Sequence, residues 1–276
     1  MAFYTFETVF SGGGSTFRPK FYGPHPHLLP YLEQREVFNN LNFSASLMKL
    51  GSDQYEYAVN STGCHALLAV FLCPSDFHMF RDVFDEPPGH NNYRANMGSG
   101  PAWSGGILWP GEDGAFAPFT SVGFAEIPDG LSHTVAFSEK IKGDGKDDQF
   151  SVHGDFFYVG LPVTEPASGE FADLCNWSGS GVPNHFSLGG ATWLIAGTEY
   201  TWYNHRLGPN SQLVDCAVPN TYPAAGAFGA RSFHSGGVNV LLLDGSVRFV
   251  GDSIDLSTWR ALSTRAGSEP LADATF

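Results

Sequence analysis

The tightest constraint on this chain is a run near its C-terminus, VNVLLLDGSVRFV, residues 238–250. Two apolar, β-branched stretches flank Asp244-Gly245. Asp-Gly in that setting is a strong short-range signal for a β-hairpin closed by a two-residue type I′ turn. Such a turn pairs Leu243 with Ser246, Leu242 with Val247, Val240 with Phe249 and Val238 with Gly251. Opposed residues share a face. One face therefore carries Val238, Val240, Leu242, Val247 and Phe249, and the pattern predicts that this face lies on a core. The segment that follows, SIDLSTWRALSTRAG, reads as a helix. Ser253 or Asp255 can cap it, Leu256, Trp259 and Leu262 form its apolar stripe, and Gly267 can end it.

The same stretch begins at His234, and a histidine close in sequence to an aspartate invites a catalytic reading. Six strand residues, 238–243, put roughly 17–20 Å between the two ends. A general base must stand within about 3 Å of its partner. His234 and Asp244 are therefore not a dyad. Asp244 reads as a turn residue, and His234 as a cap or packing residue at the strand entry.

Away from the hairpin the chain is rich in turn formers, with 33 Gly and 18 Pro, and in aromatics, with 24 Phe. Many short strands joined by loops suit that composition better than long helices. The expected class is α+β: a single domain over 25–276 behind an irregular entry segment, 1–24, that contains the flexible stretch SGGGS. Leu29, Leu32, Val37, Phe38 and Leu41 recur at helical spacing and predict a helix near 29–41. LLAVFLCPSD reads as a short buried strand. VGFAEI and HTVAFSE read as strands about the turn PDG, and the middle of the chain as loop-rich β structure.

The formal net charge is −14, from 28 acidic and 14 basic residues. A surface of that sign repels nucleic acid and anionic lipid, and no Lys/Arg cluster offsets it. No segment reaches the roughly 18–20 apolar residues of a membrane span, and the start lacks a signal-peptide layout. The cysteines, Cys64, Cys73, Cys175 and Cys216, form no C-x-x-C pair, and three complete pairings remain open. Few lysines, polar loops and an even cysteine count point towards an exported protein.

Motifs that carry chemistry are sparse, and no catalytic residue is assigned. The histidines show no H-E-x-x-H spacing, and His25 and His27 in PHPH are expected to be exposed. No G-x-S-x-G is present. Asp144, Asp147 and Asp148 offer hard oxygen donors suited to calcium, although no glutamate closes the loop as in an EF-hand; a solvated acidic turn is the alternative. Trp103, Trp109, Trp177, Trp193, Trp202 and Tyr203 sit in or near polar loops. There they could stack on a glycan or a protein partner, against the alternative of core packing.

Six blocks carry a resemblance: LLPYLEQREVFNNLN, VFLCPSD, NNYRANMG, EIPDGLSHTVAFSE, YNHRLGPN and FHSGGVNVLLLDGSVRFVGDSIDLSTWRALSTRAGSE. In that order they resemble the domain of unknown function 1559 family, whose C-terminal signature is His, nine residues, Asp-Gly. Here the signature falls on His234, Gly236, Gly237, Asp244 and Gly245. The resemblance implies a pseudopilin-like globular head that is extracytoplasmic, in the periplasm or at the cell surface. Its partners would be other pseudopilin-like or cell-envelope proteins. It also implies a prepilin leader and an apolar anchoring helix, which the chain as given does not show, so membrane insertion is not expected of this segment. Related type II secretion heads often bind calcium, without ligands that map onto residues here. The resemblance further implies that Cys73 pairs with a cysteine in the N-terminal part. That leaves Cys175–Cys216 as the favoured intrachain disulfide, with Cys64–Cys73 the alternative. The expected function is structural, with glycan or ligand binding through the aromatic loops as the runner-up.

Overall fold

A computed structural model describes residues 6–11, 14–19, 21–45, 47, 59–78, 89–100, 102–104, 107–109, 113–116, 121–160, 170–179, 181–219 and 225–269. The fold is α+β and mostly β. The strands are β1 (Phe6–Ser11), β2 (Gly14–Pro19), β3 (Tyr93–Asn96), β4 (Ala102–Ser104), β5 (Ile107–Trp109), β6 (Val135–Glu139), β7 (Phe156–Tyr158), β8 (His185–Phe186), β9 (Trp202–Tyr203), β10 (Asp215–Ala217), β11 (Gly226–Ala227), β12 (Gly237–Leu242) and β13 (Val247–Gly251). Among the described residues four short α-helices accompany them: α1 (His25–Leu28), α2 (Arg35–Asn39), α3 (Ser61–Cys64) and α4 (Leu256–Ala261).

The principal sheet has the order β13-β12-β6-β3-β9. Its pairs are antiparallel except β3 with β9, which is parallel. A second sheet has the order β11-β10-β7-β8, and β1-β2 and β4-β5 are separate hairpins. α4 closes one face of the principal sheet. Its Trp259 is fully buried among Val135, Val238, Val240, Leu242 and Val250. The indole Nε1–H donates to the Leu207 carbonyl at 2.9 Å, which satisfies the one polar atom that this burial would strand. Burying an indole removes some 150–250 Å² from water, roughly 4–6 kcal/mol of transfer free energy. Asp255 caps α4, accepting from the backbone N–H groups of Ser257 and Thr258. The helix stops at Ala261, so Gly267 does not end it.

The signature hairpin forms with a different register. Val238 faces Val250, Asn239 faces Phe249 and Val240 faces Arg248. The loop is three residues long: Leu242 N–H donates to Ser246 at 2.8 Å, and Gly245 N–H to Leu242 at 3.0 Å. A type I′ turn needs positive φ at both central residues. Gly245 has it, at +88°, whereas the non-glycine residues with positive φ among those described are Phe21, Glu33, Asn210 and Ser268. Asp244 instead turns its carboxylate onto Ser246, accepting from N–H at 2.8 Å and from the hydroxyl at 2.7 Å. That is a type I turn completed by a left-handed glycine. A one-residue shift inverts every side chain of one strand. Val250 therefore enters the core, while Val247 and Phe249, expected inside, are exposed.

Other expectations fail for equally local reasons. Residues 1–24, read as irregular, contain the antiparallel pair β1–β2, and α1 begins just after them at His25. The helix expected near 29–41 is broken: α1 passes into a 3₁₀ turn at Leu29–Tyr31, Glu33 takes φ +60°, and α2 restarts at Arg35. Its apolar residues still reach one cluster, with Leu29 and Leu41 buried and Leu32, Val37 and Phe38 packed against it. LLAVFLCPSD is a 3₁₀ turn at Ala69–Phe71 rather than a strand, and VGFAEI is likewise a turn at Phe124–Glu126. Cys175 and Cys216 form a disulfide that ties a 3₁₀ turn, Phe171–Cys175, to β10. Cys64 and Cys73 are buried and outside any disulfide, so the alternative bridge between them is not made.

Candidate functional site

The side chains with most chemical interest meet where β6 ends. Glu139 is the last residue of β6, Cys73 leaves the 3₁₀ turn at Ala69–Phe71, and His234 lies three residues ahead of β12. Glu139 Oε1 stands 3.0 Å from His234 Nε2 and 3.7 Å from Cys73 Sγ, and Sγ lies 3.6 Å from Nε2. Cys73 and Glu139 are buried, while the His234 side chain is 32% exposed and opens the cluster to solvent. Each member is held in place. Glu139 Oε2 accepts from Asn239 N–H at 2.7 Å and from its amide at 3.2 Å. Cys73 N–H donates to Asn92 Oδ1 at 3.1 Å, and His234 N–H to Ser232 Oγ at 3.1 Å.

The geometry restricts what this trio can do. In a nucleophilic triad the base uses one ring nitrogen towards the nucleophile and the other towards the orienting carboxylate. Here the carboxylate and the thiol both approach Nε2, so a proton relay through the ring is not available to these atoms. Three unlike donors converging on one point is instead the arrangement of a ligand set.

A buried ionic network underlies the trio. Asp215 pairs with Lys140 and also takes Arg231 Nε at 3.1 Å, Arg231 Nη2 at 3.0 Å and Gly229 N–H at 3.1 Å. Burial pushes the Asp215 carboxyl up, but Lys140 and Arg231 outweigh it and hold the group below its ordinary value. Burial pulls the Lys140 ammonium down, and Asp215 resists this. Asp76 accepts from Asn92 Nδ2 at 2.6 Å and Lys142 N–H at 2.9 Å, and pairs with Lys142 Nζ at 3.3 Å. Just beyond the end of β6, Lys140 and Lys142 thus point charge inward, each onto its own carboxylate. A residual cavity of about 10 Å³, lined by Cys73, Glu139, Ser232 and Phe233 among others, separates the trio from this network.

On another side of the hairpin lies an apolar cleft of about 210 Å³, lined by Leu28, Leu32, Val70, Phe71, Phe137 and Leu241 together with Val240 and Val247. His25 closes its floor. It is fully buried rather than exposed, its Nε2 sits 2.5 Å from the Tyr93 carbonyl, and burial lowers it to about 4.

His234 and Asp244 lie at opposite ends of β12, each with its own partners. Gly236 has φ +83°, and a Cβ on Gly237 would meet the Val250 carbonyl at 2.2 Å, which accounts for both glycines of the signature. Asp144 accepts from Lys146 N–H at 3.0 Å and Asp147 from Ser187 Oγ at 2.9 Å, while Asp148 is exposed. Among the described residues these aspartates do not converge on a common point. Trp193, Trp202 and Tyr203, read as loop aromatics, are fully buried, and Trp177 packs against Phe157. The rings of Trp193, Trp202 and Tyr203 therefore face the core, while Trp177 stays half-buried at its edge. The side chains of Trp103 and Trp109 lie outside the described residues. Cys73 and Glu139 had no local signal as partners of His234. They sit 161 and 95 residues away in sequence.

The family profile described as "Protein of unknown function (DUF1559)" matches residues 7–257. No curated protein and no solved structure matches the chain.

Proposed function

This chain belongs to the DUF1559 family of proteins of unknown function, and on that premise we propose that it is an extracytoplasmic, pseudopilin-like structural protein. It acts by contact with cell-envelope proteins, without catalysis. The observation that carries this reading is the apolar cleft beside the signature hairpin. At about 210 Å³ it is smaller than the roughly 300–1,000 Å³ of a small-molecule pocket. Its polar lining is only His25, Tyr93, Ser138 and Asn239, too little to orient a polar substrate. A cleft of that size accepts one or two apolar side chains of another protein. Val70 and Val247 stand exposed at its rim, 43% and 64%, ready to be covered. The Cys175–Cys216 disulfide supports an oxidising compartment.

The test is a photoreactive residue placed at position 247 of the full chain in the producing cells. The reading predicts crosslinks to envelope proteins, and their loss in a Val70→Asp variant. Because Val70 is exposed, that substitution leaves the fold intact. Absence of crosslinks, or crosslinks indifferent to Val70→Asp, would overturn the reading.

A further inference from the structure

We propose that Cys73, Glu139 and His234 form a binding site for a divalent transition-metal ion, zinc foremost. This goes beyond the contact function and does not depend on it. Among the described residues, this is the group of His, Cys, Asp or Glu side chains whose three candidate ligand atoms lie within 4.8 Å of one another. Zinc bond lengths of about 2.3 Å to sulfur, 2.0–2.1 Å to nitrogen and 2.0–2.2 Å to oxygen define a tetrahedron. Its edges would be about 3.6 Å for S···N, 3.6 Å for S···O and 3.4 Å for N···O. The observed separations are 3.6, 3.7 and 3.0 Å. An ion enters by opening a single contact, Glu139 to His234, by a few tenths of an ångström.

The donor set selects the class of ion. One thiolate, one imidazole and one carboxylate suit zinc, whereas calcium and magnesium take oxygen almost throughout. Binding displaces the thiol proton of Cys73 to solvent, and thiolate plus carboxylate then balance the two positive charges. The outer partners are in place. Asn239 fixes Glu139 through Oε2, which leaves Oε1 for the metal. With three protein ligands the fourth position is open. The exposed flank of His234 is the way in to that position.

The test is cobalt(II) and zinc titration of the full chain after chelator treatment. Cobalt should bind one to one and give a thiolate charge-transfer band with the intense visible bands of a tetrahedral site. Zinc should displace it. His234→Ala and Cys73→Ser should abolish the bands, and Cys64→Ser, which alters the other cysteine outside the disulfide, should keep them. Asn239→Ala retains one of its two donors to Glu139 and should weaken zinc by about tenfold, the lower end of outer-shell effects. Should Cys73→Ser fail to fold, the half-exposed His234→Ala decides, with its metal-free melting curve as control. No thiolate band, or bands and affinity unchanged in a folded His234→Ala variant, would overturn the site.

Discussion

Asp215→Ala is the perturbation whose cost follows most directly from the structure. Asp215 is 1% exposed and receives Lys140, two guanidinium nitrogens of Arg231 and the Gly229 N–H. Lys140 and Arg231 are themselves buried, at 2% each. Removing the carboxylate leaves two cations in the interior with no counter-charge between them. Breaking a buried pair from one side costs about 3–5 kcal/mol, a large part of the roughly 5–15 kcal/mol that holds a domain together. Asp215→Asn keeps the shape and an acceptor, so its cost should fall at the low end. The sign of the pH dependence is set. A folded-state value held below the ordinary 3.8 means that this stabilisation is complete above 3.8 and is lost as pH falls through the folded value. Guanidinium denaturation at neutral and at acid pH, with the disulfide intact, measures both effects. Wild type and Asp215→Asn should differ by about 3 kcal/mol at pH 7 and converge in acid. A difference under about 1 kcal/mol, or one that widens in acid, would refute the reasoning.

Three further outcomes follow from the same structure. Cys175→Ala with Cys216→Ala opens a loop spanning 41 residues and should cost about 4 kcal/mol by loop entropy, read from denaturation midpoints. Burial lowers His25 and His90 to about 4 and His205 to about 3, while burial raises Asp155 to about 7. Each histidine therefore contributes full stability above pH 6.5 and loses about 1.4 kcal/mol per unit as pH falls, whereas Asp155 acts in the opposite sense between 3.8 and 7. Among these four groups the histidines prevail, and His27 and His153, also lowered by burial, act in the same direction, so stability should fall as pH drops from 6.5 towards 5; a flat profile of stability against pH would contradict these burials. Gly237→Ala should destabilise more than Gly245→Ala, because its Cβ meets the Val250 carbonyl at 2.2 Å while Gly245 has open space and only its positive φ to lose; thermal melting ranks the two, and the reverse order would be wrong for this hairpin.

How much of this was legible in the sequence depended on distance along the chain. The hairpin and the Asp255 cap were legible because their causes lie within a few residues. The register was not, because Asp-Gly serves a two-residue and a three-residue loop alike. The choice fell to the Asp244–Ser246 contact and the burial of Val250. The core-facing residues of 29–41 were legible from their spacing, but the break at Glu33 was not, because periodicity reports a face and not continuity. Trp202 and Tyr203 carried loop-like neighbours and are core. The site was the least legible part. His234 stood out, yet its partners Cys73 and Glu139 arrive from distant segments through a sheet order that no local pattern encodes.

The two ends of the signature act separately: His234 with Glu139 and Cys73, Asp244 with its own turn. Double-mutant cycles on metal-free protein test this directly. For His234→Ala combined with Glu139→Gln, the expected coupling energy is about 0.5–3 kcal/mol, as for residues in contact. For His234→Ala combined with Asp244→Ala, additivity within about 0.3–0.5 kcal/mol is expected. Coupling between His234 and Asp244, with none between His234 and Glu139, would contradict this separation.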